Sequence, residues 1–374
     1  MPAYLDNAAT TPVCAQAVQA ALDAMTAGFG NPSSGYAAGK TALERLNADR
    51  AAVSAALGCS PEELFFTSCG TEGDNWAIQM GAESGKRRGH HIITTVAEHA
   101  AVLEPVKVLE GLGWEVTRLK TDRTGHVSVE DFAAALRSDT VLVSMMLVNN
   151  ETGAVFPVAE CARLAKERNP ALLFHTDAVQ AFLKVPFTPD KLGVDLLTIS
   201  GHKVRAPKGI GALYIRKDVK LHPLLVGGGQ ERGLRPGTEP TAQISALAAA
   251  CQAWNPAYPE HIAALKHYAL ERLAGIPGLE IVSRGDAPHI CAISLPGYPS
   301  EMLVRDLSDR GVYVSSGSAC HRGKPSHVFA AMGLPKRILT GMLRISFSPD
   351  NTHEEVDALY EGLSAITKER ISAR

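Results

Sequence analysis

One lysine of this chain lies in a short loop of small residues between two strand-like segments. The loop, residues 200–203, reads Ser-Gly-His-Lys and stands between the strand-like runs 195–199 and 211–215. A charged side chain between buried strands is costly, and desolvation lowers the pKa of an amine and makes it a nucleophile. A lysine in a turn is most often a plain surface residue. Because the neighbouring serine, glycine and histidine suit a phosphate or a ring, we favour Lys203 as a Schiff-base lysine.

Polar residues also follow several other predicted strands, where ligands bind in open parallel sheets. Gly70 and Thr71 open a helix and suit a phosphate, although an ordinary helix cap is the commoner role. Asp177 could cap a helix or pair with the protonated nitrogen of a pyridoxal ring. Asn150 offers an amide to a phenolic oxygen, and His99 could stack on a ring or move protons. Each residue alone has a common structural role, but their occurrence together with the loop lysine favours a pyridoxal site.

The seven cysteines of the chain show no CxxC spacing, which argues against a disulfide framework and a zinc knuckle. Most of them lie in apolar or helical contexts, as buried free cysteines do. Cys320 differs, because it lies in a Ser/Gly-rich loop beside His321, Arg322 and Lys324, and positive neighbours favour the thiolate. The spacing of Cys320, His321 and His327 fits no common zinc pattern, so we predict no metal site.

The composition is that of an ordinary globular protein, with 45% hydrophobic and 20% charged residues. The net charge of −2, with both signs interspersed, predicts binding neither to nucleic acid nor to a membrane surface. No apolar run reaches the length of a membrane span, and the N-terminus lacks the pattern of a secretion signal. We therefore expect a cytoplasmic protein without a membrane anchor.

The order of the predicted elements indicates a doubly wound α/β fold, because strands rich in Val, Ile and Leu alternate with helices. The predicted strands of this part are 64–67, 91–95, 114–119, 140–148, 172–175, 195–199 and 211–215. The predicted helices are 15–25, 40–57, 74–85, 100–112, 129–136 and 158–168. Pro256 and Pro259 indicate a linker, after which a mixed set of helices and strands predicts a smaller α+β domain. At 374 residues, the chain is long for a single core.

With these residues in view, the chain resembles the cysteine desulfurases, of the class V aminotransferase group with the fold type I pyridoxal-phosphate architecture. The resemblance covers nearly the whole length and rests on the segments 4–12, 29–34, 71–75, 149–151 and 231–238 and on Arg344. It implies a large domain, residues 14–255, with a mostly parallel seven-stranded sheet. It also implies a small α+β domain formed by residues 1–13 and 256–374.

The resemblance implies pyridoxal 5'-phosphate as the cofactor, bound to Lys203 as an internal aldimine with His99 stacked on the ring. It places Asp177 at the pyridine nitrogen and Gln180 and Asn150 near the phenolic oxygen. The phosphate ligands that it implies are Gly70, Thr71, Ser200, His202 and Thr238. In the family the threonine at the last of these positions reaches the neighbouring subunit, which implies a homodimer. For the substrate carboxylate the resemblance implies Arg344, with Asn150 and Asn31 as further substrate-binding residues.

The segment 315–320, Ser-Ser-Gly-Ser-Ala-Cys, resembles the family motif that carries the sulfur-attacking cysteine. The implied reaction converts L-cysteine to L-alanine and leaves a persulfide on Cys320, with Lys203 and His99 as the other catalytic residues. The sulfur would pass to an acceptor protein or a small thiol, for iron–sulfur cluster assembly or other sulfur biosynthesis. A selenocysteine lyase is the alternative enzyme. A catalytically silent sulfur carrier or scaffold subunit is disfavoured, because the residues for catalysis are all present.

The chain departs from the family pattern at several places. Four residues rather than six separate Cys320 from the next Pro-Ser-His, and three of them are basic. Residues 68–71 read Ser-Cys-Gly-Thr in place of Ser-Gly-Ala-Thr, and residues 204–206 read Val-Arg-Ala where an aromatic-Gly pair is common. We also expect the chain to lack the longer tail of housekeeping iron–sulfur enzymes. These changes leave the chemistry intact and the sulfur acceptor open.

Overall fold

The computed structural model describes residues 2–317 and 326–372. Its strands are β1 (Ala3–Tyr4), β2 (Leu64–Thr67), β3 (His91–Thr95), β4 (Glu115–Leu119), β5 (Thr140–Ser144), β6 (Leu173–Asp177), β7 (Leu196–Ser200), β8 (Gly211–Ile215), β9 (Glu280–Ser283), β10 (Ile290–Ser294), β11 (Val312–Tyr313) and β12 (Met342–Ser346). Its helices are α1 (Ala15–Thr26), α2 (Ala37–Leu57), α3 (Gly70–Gly85), α4 (Ala100–Gly111), α5 (Val129–Ala135), α6 (Val158–Arg168), α7 (Pro189–Leu192), α8 (Thr241–Gln252), α9 (Tyr258–Ala274), α10 (Ser300–Asp309), α11 (His327–Ala331), α12 (Lys336–Thr340) and α13 (His353–Ser372).

The largest sheet has seven strands in the order β2-β8-β7-β6-β5-β3-β4. The pairs from β7 to β4 are parallel, and β8 runs antiparallel to both of its neighbours. The predicted mostly parallel, seven-stranded sheet is therefore confirmed. The ten residues 201–210 that join β7 to β8 are too few for a parallel crossover with a helix, so the chain reverses there. That reversal holds Lys203 at the carboxyl end of β7.

A second, antiparallel sheet has the order β12-β10-β9, and β1 pairs in parallel with β11. The N-terminal Ala3 and Leu5 pack in one apolar cluster with residues of α9, α10 and α13. The first residues of the chain thus lie against its C-terminal third. This agrees with the predicted grouping of residues 1–13 with 256–374, although the two domain bounds themselves stay predictions.

Most predicted elements are confirmed with ends that differ by a few residues, and the exceptions have physical reasons. Helix α8 was not predicted, because its sequence is apolar on nearly all sides and carries no amphipathic period. The predicted strand 140–148 is too long, since β5 ends at Ser144. Pro259, taken as part of a linker, lies in the first turn of α9, where a proline fits a helix.

A buried ion pair fixes the segment that precedes Thr238. Glu231 and Arg232 have positive φ angles of 47° and 57°, a conformation unusual for residues with side chains. Arg50 of α2 donates to both carboxylate oxygens of Glu231, at 2.8 and 2.5 Å, and Phe66 of β2 donates its backbone N–H to the same group at 2.9 Å. The pair thus ties this strained segment to the sheet.

Arg50→Met should leave the Glu231 carboxylate buried without its cation. We expect the free energy of unfolding to fall by about 3–5 kcal/mol, as for other broken buried ion pairs. Urea denaturation of the purified variant measures this. The exposed pair Arg163–Glu167 provides the control: Arg163→Met should change the same quantity by no more than about 0.5 kcal/mol. Equal effects of the two changes would contradict the structural role given to the buried pair.

Candidate active site

A pocket of about 350 Å³ opens at the carboxyl ends of β5, β6 and β7. The start of α3 and the first residues of the chain also line it. It brings together most of the residues that the sequence singled out, namely Gly70, Thr71, His99, Asn150, Asp177, Gln180, Ser200, His202, Lys203 and Arg344. These residues come from nearly the whole length of the chain, so the fold assembles them at one place.

Lys203 ends a short 3-10 turn, Gly201–Lys203, directly after β7. Its Nζ donates to the backbone oxygens of Ala8 and Ala9 at 2.8 and 2.6 Å. Burial, and then the positive charge of Arg344, lower the pKa of this amine to about 8, against the opposing effect of Asp6 and Asp177. The expected direction of the shift is therefore found, and a usable fraction of the amine is uncharged near neutral pH.

Asp177 is the last residue of β6, and its carboxylate lines the pocket. Oδ1 accepts the backbone N–H of Val179 at 2.9 Å, which is the capping role considered from the sequence. Burial raises the pKa of Asp177, and this hydrogen bond and the nearby His99 and Lys203 oppose the rise. A cationic group in the pocket would favour the ionised carboxylate, so both roles proposed for Asp177 are compatible.

His99 is the N-cap residue of α4, and its Nδ1 accepts the backbone N–H of Ala101 at 3.1 Å. This bond fixes the ring orientation and leaves the proton of the neutral ring on Nε2. Burial lowers the pKa of His99, and the charges of Lys203 and His327 add to this while Asp177 opposes it. An uncharged imidazole with a free N–H therefore faces the pocket.

The start of α3 provides a cradle for an anion. A Cβ at Gly70 would lie 2.9 Å from Cγ2 of Val179, so a larger residue at this helix start would require the Val179 side chain to shift. Ser200 Oγ is buried and has no hydrogen-bond partner among the residues that the structure describes. Burial lowers the pKa of His202 to about 3, so this ring is a neutral hydrogen-bonding group. Backbone N–H groups and an available hydroxyl match the needs of a phosphate.

Arg344 lies in β12, and its guanidinium is held from two sides. Nη2 donates to Asp6 Oδ1 at 2.8 Å and Nη1 donates to the backbone oxygen of Asn150 at 2.8 Å. Arg344 Nε and Asn150 Oδ1 are both buried and find no partner within the described part of the chain. A fixed guanidinium with a free donor suits a carboxylate ligand, whereas the free oxygen of Asn150 accepts a hydrogen bond and needs a donor.

Gln180 links the pocket to the interior. Its Nε2 donates to the backbone oxygen of Ala8 at 2.9 Å, and its Oε1 lies 3.2 Å from Nε2 of His289. Both atoms of the amide are therefore engaged inside the protein. These two hydrogen bonds fix the side chain of Gln180, and its contact near the phenolic oxygen of the cofactor stays a prediction.

The sequence did not single out several residues of the site. Asp6 holds Arg344 across 338 residues of the chain, a contact that no local pattern could indicate. Asp74 lines the pocket, and burial together with the charge of Asp177 raises its pKa well above the ordinary value. Burial likewise raises the pKa of Glu98, which lies beside the pocket, to about 8. The one sequence signal for Asp74 is that an acidic residue stands among the apolar positions of α3.

Two predicted site residues lie away from the pocket of this single chain. Asn31 and Thr238 are exposed and are not among the residues that line it. Cys320 lies outside the described residues. Ser315 and Gly317, which precede it in its motif, line the pocket.

The described residues contain no cluster of His, Cys, Asp or Glu that could hold a metal ion. Within the same residues, no helix is both long enough and apolar enough to cross a bilayer.

Comparisons with known proteins agree with this site. The family model for class-V aminotransferases matches residues 3–359. The cysteine desulfurase IscS of Methanosarcina thermophila is 43% identical over 98% of this chain and 92% of its own length. The cysteine desulfurase IscS of Clostridium botulinum strain Hall is 41% identical over 98% and 94%. Among solved structures, a NifS-like protein superposes with a TM-score of 0.93 at 38% identity, over 98% of this chain and 100% of that one. SspA in complex with cysteine gives a TM-score of 0.82 at 33% identity, over 93% and 99%. The chain therefore belongs to the class-V aminotransferase family and, within it, to the cysteine desulfurases.

Proposed function

We propose that this cysteine desulfurase uses pyridoxal 5'-phosphate to convert L-cysteine to L-alanine and collects the sulfur as a persulfide on Cys320. The observation that carries the proposal is the shared pocket of a low-pKa lysine, a buried aspartate and an anion cradle. Near Lys203, Ser200 Oγ and Asn150 Oδ1 are buried polar atoms with no partner among the described residues. A ligand with a phosphate and a polar ring would satisfy them, so the pocket fits this cofactor.

The family resemblance assigns the residues that would hold the cofactor, and their place in one pocket supports these roles. Gly70, Thr71, Ser200 and His202 would bind its phosphate, and Lys203 would attach to it covalently. Asp177 would hold the ring nitrogen, His99 would cover the ring face, and Gln180 and Asn150 would lie near the phenolic oxygen. When bound, the cofactor supplies an electron sink for the carbon atoms of the substrate.

Around that sink the protein binds the substrate and moves protons. Arg344, fixed by Asp6, would bind the substrate carboxylate with its free donor, and the amide of Asn150 would add a contact. Asn31 lies outside the pocket of the single chain and stays a predicted substrate-binding residue. Lys203, once uncharged, would take the proton from the α-carbon. Its pKa near 8 suits this role, because the ordinary lysine pKa of 10.5 would leave almost no free base at neutral pH.

Cys320 would carry out the sulfur transfer. Its thiolate, favoured by the adjacent basic residues, would attack the substrate sulfur and form the new S–S bond. The carbon–sulfur bond breaks, and its electron pair stays with the substrate carbon, which is then protonated to give alanine. The persulfide exchanges with a thiol of an acceptor protein or a small thiol, for iron–sulfur cluster assembly or other sulfur biosynthesis.

We further propose that the enzyme is a homodimer in which Thr238 reaches the phosphate in the neighbouring subunit. In the single chain Thr238 is exposed, and so are the apolar side chains of Phe29, Tyr36 and Val226, with 76%, 62% and 91% of their surface accessible. Exposed apolar groups of this size support a surface that a second copy covers. Sedimentation of the purified protein tests this. A cytoplasmic location stays a prediction.

The proposed reaction is tested by incubating the purified, cofactor-loaded protein with L-cysteine and a reducing thiol. We expect alanine and sulfide in equal amounts. The rates of alanine formation from L-cysteine and from L-selenocysteine are then compared, to decide between a cysteine desulfurase and a selenocysteine lyase. Amino-acid analysis measures the alanine. Formation of pyruvate and ammonia in its place, or no reaction by a yellow protein, would contradict the proposal.

The pKa of Lys203 also predicts how fast the cofactor attaches to the cofactor-free protein at different pH values. At pH 7 an amine with a pKa of about 8 is about one-tenth uncharged, against about 0.03% for one of about 10.5. We expect the attachment rate to rise about tenfold from pH 6 to 7 and to level off above about pH 8. Absorbance of the lysine-bound cofactor follows it.

The matched control for this prediction is Lys203→Ala, in which non-covalent binding of the cofactor reports the ionisation of all other groups. A covalent attachment rate that kept rising to pH 10 would show that Lys203 has an ordinary pKa.

A further inference from the structure

A small cavity lies behind Lys203 and shares only this residue with the lining of the substrate pocket. About 10 Å³ of it is open to the centre of a water molecule, which is room for one. Its walls include Lys203 itself, Lys184, Arg205 and Asn7. Three of its wall residues are therefore basic, and two of them, Lys184 and Lys203, are buried or half-buried.

Three buried polar atoms of these wall residues have no hydrogen-bond partner in the described part of the chain, namely Lys184 Nζ, Arg205 Nε and Asn7 Oδ1. The amide nitrogen of Asn7 donates to the backbone oxygens of Tyr4 and Ser346, so the orientation of the amide is fixed and Oδ1 needs a donor. Arg205 Nε needs an acceptor. A water molecule can serve both and also Lys184, whereas a simple anion could not donate to Asn7.

The backbone beside two of these residues is strained. Leu183, which precedes Lys184, has a φ of 63°, and Arg205 has a φ of 67°. Such angles are uncommon for residues with bulky side chains, and they persist where the surrounding structure holds them. Arg205 also stands where the family more often has another residue. The surrounding structure therefore fixes the backbone that carries Lys184 and Arg205.

We propose that Lys184 is a positioning residue that exchanges a proton with Lys203 through one water molecule bound in this cavity. The inference rests on the proposed function, in which Lys203 takes a proton from the substrate and must lose it again. The water takes a proton from the Lys203 ammonium and gives one of its own to the Lys184 amine. The water is restored, and one positive charge moves from Lys203 to Lys184.

The electrostatic setting agrees with this exchange. Burial, and then the charge of Lys203, lower the pKa of Lys184 to about 7. The two amines thus have pKa values of about 8 and 7, which keeps the exchange reversible. The other titratable or charged groups around the pair are His202, His289, Arg205, Arg344, Lys208, Asp6 and Asp177. Among these, the two acids act on Lys203 and not on Lys184, so Lys184 is the less basic of the two amines.

The test compares Lys184→Met with Lys208→Met, a matched loss of one positive charge at an exposed lysine outside the cavity. In the cofactor-loaded enzyme, we expect Lys184→Met to lower kcat for alanine formation about tenfold, less than the loss of a direct proton-transfer group, with KM for cysteine within about twofold. The acid limb of the pH profile of kcat, which we assign to protonation of Lys184 near pH 7, should disappear. The solvent isotope effect on kcat should also change. Lys208→Met should keep both.

A second measurement separates this role from a structural one. Because a methionine buries no unpaired amine, Lys184→Met should raise Tm, by about 2–4 °C at pH 7. The pKa of Lys184 is lowered on folding, so the unfolded chain binds more protons between pH 7 and about 10.5, and this lysine destabilises the fold most at the acid end. The gain in Tm should therefore shrink toward pH 9. A lower Tm would show that a protein group stabilises the Lys184 amine, which would overturn its contact with the proposed water.

Each outcome decides one point. A wild-type protein that forms no alanine removes the proposed function, and the Tm comparison still reports on Lys184. An active wild type with kcat, pH profile and isotope effect unchanged in Lys184→Met overturns the proton exchange. A crystal structure with no density in the cavity, or with bromide bound there after soaking, overturns the water, whereas a single water on Lys184, Arg205 and Asn7 supports it.

Discussion

Replacing Lys203 with alanine should lower the rate of alanine formation from L-cysteine by roughly a thousandfold or more, because one side chain serves both covalent attachment and proton transfer. The Nζ of Lys203 is held by the backbone oxygens of Ala8 and Ala9. Among the described residues that line the substrate pocket, no other lysine could replace it. Lys184 lies behind Lys203 and not in that pocket. The loss should therefore be nearly complete.

The measurement that identifies the cause is mass spectrometry after borohydride reduction. The wild-type protein should carry the reduced cofactor on Lys203, and Lys203→Ala should carry none. Lys208→Ala is the control, since Lys208 is exposed and lies in the same loop. A cofactor found on another lysine of the variant, together with retained turnover, would show that Lys203 is not the attachment site.

The sequence located Lys203 and Asp177 because both follow strands that read clearly as strands. β6 and β7 each begin with two apolar residues and end in a polar one, so their carboxyl ends could be placed within a residue or two. In a parallel sheet those ends meet at one edge, and the residues after them become neighbours. The core of the site was for this reason predictable from local pattern and general topology.

The residues that support this core were not predictable in the same way. Asp6 meets Arg344 only because β1 pairs with β11 and the segment after β1 crosses to β12, where Asp6 bridges to Ser346. Lys184 stands in a short turn segment and would be taken for a surface lysine, yet only 4% of it is exposed. Such contacts depend on how distant segments pack, and a single sequence carries no local signal of them.

The departures from the family pattern differ in their effect on the described site. Cys69 and Gly70 still open α3 at the anion cradle, so this change leaves the proposed phosphate site intact. Arg205 lines the cavity behind Lys203, so this departure bears on the proposed water site. The basic residues after Cys320 lie outside the described residues, and the sulfur acceptor is still open.

The second large effect is expected at Cys320. Cys320→Ala should bind the cofactor as the wild type does, because the pocket residues that would hold it are untouched. Sulfide release from L-cysteine should fall by at least about a hundredfold, since no other group replaces the attacking thiolate. Turnover and absorbance of the bound cofactor are measured on the same sample, which separates loss of chemistry from loss of binding.

The matched control for this experiment is Cys69→Ala, because Cys69 is a cysteine of the described residues that lines the pocket. Among the other described cysteines, burial raises the pKa of Cys59, Cys161, Cys251 and Cys291 to about 12, which disfavours the thiolate that attacks sulfur. Trapping the persulfide with an alkylating reagent should therefore find it on Cys320 in the wild type and in Cys69→Ala, and nowhere in Cys320→Ala. A persulfide on Cys69 in the last variant would mean that the pocket cysteine can accept the sulfur directly. Full sulfide release without Cys320 would assign the attack to Cys69, and the basic loop would then serve only the transfer to an acceptor.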